Sequence, residues 1–170
     1  MKAQPQKLPN PVTLIISGGQ SGADLAGNEF AETMHIQTCC YVFKGFKPVN
    51  KEDEPLLEHF QKLWVAMDRP DDYTDCLRAR TIYNVKRADA TIIFIHRLLQ
   101  DTAGSKLTWK ISDVLRKPFF VADIRYPKDA VNGVVDLIQQ ERPAVLNIAG
   151  ERLLERKAIR EILGAAWLRI

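Results

Sequence analysis

A chain of 170 residues, 46% hydrophobic and 26% charged, can build one well-packed domain and is short for two. Its net charge of +3 permits an anionic small ligand but is not the basic footprint of a dedicated nucleic-acid binder. No apolar stretch approaches the roughly 20 residues that span a bilayer, and MKAQPQKLPNP at the start has no signal-peptide core, so a cytoplasmic protein is expected.

Residues 1–11 read as a loose N-terminal tail, and residues 12–170 as a single Rossmann-like domain. VTLIIS (12–17) is a short β-branched run that predicts a buried strand. Ala23, Ala26, Phe30 and Met34 then recur at helical spacing, and IQTCCYVF (36–43) predicts a second strand. Residues 44–75 read mainly as loop, with LLEHFQKLW as a short helix. DCLRARTIYNVKRA (75–88) predicts a helix capped by Asp75, and ATIIFI (90–95) a strand. Leu107, Ile111, Val114 and Leu115 mark the apolar face of the next helix, before the strand PFFVADI (118–124). Val131, Val134, Val135 and Ile138 mark another helix; AVLNIAG (144–150) is a strand and turn, and Leu154, Ala158, Ile162 and Ala166 define a closing helix.

Apolar strands alternating with helices predict a doubly wound α/β fold, a mainly parallel five-stranded Rossmann-like sheet with helices on both faces. In the order 2-1-3-4-5 the connections reverse between the first strand and that at 90–95. Ligands of such sheets bind at the strand ends flanking the reversal, here the loops 17–24 and 96–105. Ile159 and Leu163, beside the closing stripe, exceed what one core contact needs, so a homodimer or higher homo-oligomer is expected.

The first of those loops, SGGQSGAD (17–24), follows a strand and opens a helix, a setting in which backbone N–H groups can hold an anion. It is neither GxGxxG nor GxxxxGK[ST]. The alternative is a tight turn with Ser21 and Asp24 as a capping pair, Asp24 being held at low pKa by the helix terminus. The second loop, DTAGSKLT (101–108), brings Ser105, Lys106 and Thr108 into a helix. Cys39 and Cys40 would point to opposite faces of a strand, and neither a paired CxxC nor a His cluster exists, so no metal site is expected. His96 ends a strand at the crevice. Trp64, Trp109 and Trp167 read as packing residues.

SGGQSGAD, RTIYNVKRADATIIF (80–94), AGSKLT (103–108) and LNIAGER (146–152) occur in an order that resembles the putative molybdenum cofactor carrier family. That family belongs to the Rossmann-like superfamily shared with the lysine decarboxylase-like phosphoribohydrolases and DNA-processing protein A. The resemblance departs at Ala103-Gly104-Ser105, where the family has Gly-Gly-Thr. Carried over, it implies a ligand held by Gly18, Gly19, Gln20, Ser21, Gly22, Asp24, Arg80, Asn84, Gly104, Ser105, Thr108, Asn147 and Gly150. The first-loop glycines and Arg80 would take phosphate, while Asn84 and Gln20 would read polar edges. The implied function is a binding or carrier protein for a phosphorylated, nucleotide-like ligand, the molybdenum cofactor or a nucleotide. The alternatives are a nucleoside 5'-monophosphate phosphoribohydrolase, an N-glycosidase, and a nucleotide-sensing subunit. The glycosidases carry a glutamate in a PGGxGTxxE pattern, and TAGSKLTWK lacks it, which favours the carrier.

Overall fold

The computed structural model describes residues 9–43, 55, 59–60, 64–67 and 73–170. The strands are β1 (Leu14–Ser17), β2 (Gln37–Phe43), β3 (Trp64–Met67), β4 (Ala90–Ile95), β5 (Phe119–Asp123) and β6 (Val145–Gly150). The helices are α1 (Ala23–Thr33), α2 (Tyr73–Arg87), α3 (Ala103–Val114), α4 (Pro127–Glu141) and α5 (Arg156–Trp167), with a 3-10 turn at Leu99–Asp101. The helix over 73–87 begins before Asp75, which therefore lies in its first turn and not at its cap. Most of LLEHFQKLW lies outside the described residues.

All five expected strands form, and every pairing among them is parallel. β3, within the stretch read as loop, adds a sixth strand beside β2. The order is β3-β2-β1-β6-β4-β5, so the expected adjacency of the first strand and that at 90–95 is corrected. β6 inserts between them, Ile16 pairing with Asn147 and Asn147 with Thr91. The crevice between the two reversing halves therefore lies over β6, not over a direct β1–β4 seam.

Helices α1, α4 and α5 pack together on one face, α2 and α3 on the other. The first face carries most of the core, with Ile15, Phe30, Ile92, Phe94, Val134, Ile138 and Ile148 buried together. Phe30 meets Trp167 edge-on at 5.0 Å, a packing role for that tryptophan. Ile159 and Leu163 are fully buried in this core. They offer no surface to a second copy, which removes the basis of the expected self-association.

The second face differs in kind. The fully buried positions of α3 are Ser105, Thr108 and Ser112, not the apolar stripe, and Val114 and Leu115 are exposed. Thr108 Oγ1 donates to the Gly104 carbonyl at 3.1 Å and Ser112 Oγ to the Thr108 carbonyl at 2.9 Å. Such back-bonding satisfies hydroxyl protons within the helix. It lets α3 turn a polar face inward.

Candidate functional site

Between α2 and α3, above β6, lies a cavity of about 850 Å³. Its floor carries Asn147 and Ala149 of β6; α2 supplies Leu77, Arg80 and Asn84; α3 supplies Ser105, Leu107 and Thr108. Gly18, Gln20, Asp24, Gly104 and Gly150 complete the predicted residues that line it. Gly19, Ser21 and Gly22 lie in the first loop without lining the cavity. Residues of loops 17–24 and 102–108 therefore face one space.

The first loop is closed on itself. Gly19 N–H donates to Ser17 Oγ at 3.3 Å, and Gln20 N–H to Asp24 Oδ2 at 3.2 Å. Gly18 N–H also supports the Asp24 carboxylate. Arg80 reaches across from α2, donating from Nη1 to the Gly18 carbonyl at 2.6 Å and from Nη2 to Gln20 Oε1 at 2.9 Å. A Cβ on Gly18 would stand 2.5 Å from Asp24 Oδ2 and 2.9 Å from Arg80 Cζ, so absence of a side chain lets the acid and the guanidinium meet there. The Gly18 and Gly19 N–H groups and the cation expected to hold phosphate are thus engaged with protein partners. The capping pair is corrected as well. Gly22, not Ser21, occupies the cap position of α1 and there is no side-chain cap, while Ser21 Oγ has no partner.

Burial pushes the Asp24 carboxyl up to about 6, although Arg80, the Gln20 N–H, Arg152 and the Gly18 N–H all pull it down. The expected low pKa is therefore overturned: desolvation outweighs the helix terminus. Burial also pushes the Cys40 thiol up to about 12, against its contacts with Ser17 and Asn28. A thiol held neutral in this way is a poor metal ligand. Among the described residues no three His, Cys, Asp or Glu side chains gather as a metal-binding group.

Glu151 escaped the sequence reading, although it stands within LNIAGER. Its buried carboxylate accepts from the N–H of His96 at 2.8 Å and of Arg97 at 3.3 Å, and its Oε2 lies 2.8 Å from His96 Nδ1. It ties the end of β4 to the end of β6 on the cavity wall. The signal available was an acid directly after a strand whose neighbours are apolar. Glu151→Ala is expected to cost about 2 kcal/mol, the order for losing hydrogen bonds to a charged group, and to speed hydrogen exchange at His96 and Arg97.

Buried polar atoms without a protein partner concentrate around this space. Gln20 Nε2, Asn84 Oδ1, Ser105 Oγ and Asn147 Oδ1 are among them, and each belongs to a cavity-lining residue. Native interiors rarely leave such groups unpaired, so each calls for an explanation.

Sheet, switch-point crevice and cavity together define a Rossmann-like α/β protein with a pocket built from both halves of its sheet. The chain belongs to the circularly permuted YpsA SLOG family, whose description it matches over residues 15–167. It is also similar, at 29% identity and a TM-score of 0.73, to a crystal structure titled "Putative molybdenum carrier protein" from Syntrophus aciditrophicus SB. That similarity covers 92% of this chain and 96% of the other. No curated protein matches the chain. Among the described residues no helix is long and apolar enough to cross a membrane.

Proposed function

We propose that the protein binds a phosphorylated, nucleotide-like molecule in this cavity and acts as its carrier. The molybdenum cofactor is the candidate suggested by the relative's name, a nucleotide the other. The observation that carries the reading is a cavity whose volume suits a small molecule and whose lining includes the polar side chains of Gln20, Arg80, Asn84, Ser105, Thr108 and Asn147. With no ligating cluster among the described residues and a neutral Cys40, a molybdenum-bearing cargo would be held by its organic part, through phosphate and ring edges.

The phosphate belongs at the N-terminus of α3. This helix has no acidic residue in its first turn and no side-chain cap, and Ser105 Oγ is buried there without a partner. Its first N–H groups and the positive end of its dipole favour an anion. α1, by contrast, carries Asp24 in its first turn. A Cβ on Gly104 would meet nothing within 4 Å, so Gly104→Asp is expected to fold and to repel the ligand's phosphate. Titration calorimetry with nucleoside monophosphates and pterin phosphates should show affinity falling at least tenfold in this variant, an effect of the order of 1.4 kcal/mol. Unchanged affinity would remove the phosphate from α3.

The glycosidase reading keeps one observation in its favour. Asp24 is a cavity-lining acid with a pKa near the working range of a general acid. Incubation with AMP, GMP, CMP and UMP, followed by chromatography for free base, decides it. Release that disappears in Asp24→Asn would make the protein an enzyme.

A further inference from the structure

The charges around the cavity are unevenly compensated. Arg80 is spent on the Gly18 carbonyl and Gln20, beside Asp24. Arg97 and Arg152 also line the cavity, and both side chains are exposed. They leave the sheet side by side. β4 and β6 pair Phe94 with Gly150, and the Glu151 N–H donates to the Phe94 carbonyl at 3.2 Å. The Glu151 carboxylate in turn accepts the Arg97 N–H at 3.3 Å, and Arg152 directly follows Glu151. Both arginines thus stem from one hydrogen-bonded junction at the carboxyl ends of neighbouring strands.

Glu151 is the acid of that junction, and it is already shared. Its carboxylate accepts two backbone N–H groups and lies 2.8 Å from His96 Nδ1 and 3.6 Å from Arg97 Nε. Arg152 forms no ion pair among the described residues, and Asp24 feels its charge less than that of Arg80. Arg78 lines the cavity from α2 as a further exposed cation, and Asp101 is the exposed acid set against these three. Guanidinium groups present forked N–H donors that suit phosphate oxygens.

We propose that Arg97 and Arg152 together seat a second phosphate of the ligand, apart from the one at the start of α3. The inference rests on the phosphorylated-ligand reading and adds the ligand's charge, two phosphates in place of one. A nucleoside diphosphate supplies them on one chain, and a nucleoside 3',5'-bisphosphate supplies them on two sides of the sugar.

The test is titration calorimetry with AMP, ADP and adenosine 3',5'-bisphosphate, and with the three guanosine equivalents. The proteins are wild type, Arg152→Gln, Arg97→Gln and Lys157→Gln. A two-phosphate ligand should bind wild type at least tenfold tighter than its monophosphate, and whichever does so identifies the source. Each arginine variant should cut that preference severalfold and leave monophosphate affinity within about twofold. Arg152→Gln removes no hydrogen bond or ion pair among the described residues, so it tests the seat even if Arg97→Gln, which loses its Glu151 contact, fails to fold. Lys157 pairs with Glu161 on α5 and does not line the cavity, so Lys157→Gln changes net charge alone and should keep the preference. The inference fails if mono- and two-phosphate ligands bind within about twofold of one another. It fails too if a folded arginine variant keeps the full preference, or if Lys157→Gln loses as much. No binding of any ligand overturns the carrier reading for purine nucleotides and this inference with it; equal binding overturns this inference alone.

Discussion

Gly22→Ala is expected to lower stability by about 3 kcal/mol or more, enough to leave much of the protein unfolded under mild denaturant. Gly22 sits at φ 73° and ψ −124°, a backbone conformation that L side chains rarely adopt. Space is denied as well as conformation. A Cβ there would press on the Glu151 carbonyl and stand 2.6 Å from the Arg152 carbonyl oxygen. Both obstacles are main chain, and the Ala23 N–H donates to that same Glu151 carbonyl at 3.3 Å, so the two segments cannot part without losing the bond. Gly164→Ala is the internal control. It lies within α5, nothing would meet its Cβ within 4 Å, and replacing a helical glycine should stabilise by roughly 0.5–1 kcal/mol. Urea unfolding of the two variants should move in opposite directions. A Gly22→Ala protein within about 1 kcal/mol of the parent would show that the first loop can relax away from residues 151–152.

The parallel α/β architecture was legible because β1 and β4 are short, mainly apolar runs rich in β-branched residues and the helices between strands keep a clear period. Adjacency was not. Whether the strand at 145–150 lies at an edge or between β1 and β4 depends on which side of the sheet α4 and its neighbours pack, and no local period encodes that. The same limit hid the true inner face of α3. Its apolar residues predicted the contact, but the buried positions are Ser105, Thr108 and Ser112, of which Ser105 and Thr108 line the cavity with Leu107. Of the first-loop residues SGGQSGAD, Gly18, Gln20 and Asp24 line the cavity, but their partners were not legible. Helix-start patterns pair Ser21 with Asp24, yet Asp24 turns back to Gln20 and toward Arg80, a residue 60 positions from Gln20. Local grammar locates such a site. It does not say which of its N–H groups are already taken.

Asp24 should make the protein lose stability as pH rises from 3.8 toward about 6, the opposite of the usual behaviour of a paired carboxylate. The folded pKa lies above the unfolded value, so within that window the native state holds a proton that the unfolded chain has released. Stability then falls with rising pH, because unfolding releases the proton, and the full contribution across the window is about 3 kcal/mol at most. Above pH 6 the carboxylate is ionised in both states and the contribution levels off. Burial is the cause, and Arg80 limits the effect without reversing it. Other groups titrate over the same range, and Asp123, whose carboxyl the Arg125 guanidinium holds low, pushes the opposite way. The informative quantity is therefore the difference between wild type and Asp24→Asn, in which unrelated titrations cancel. Removing the carboxylate also leaves Arg80 without its acid, so Asp24→Asn need not be more stable at any single pH. Its stability relative to wild type should nevertheless rise as pH increases through the window. Urea unfolding across that range measures the difference directly, and a difference that does not change with pH would place the Asp24 carboxyl in contact with water.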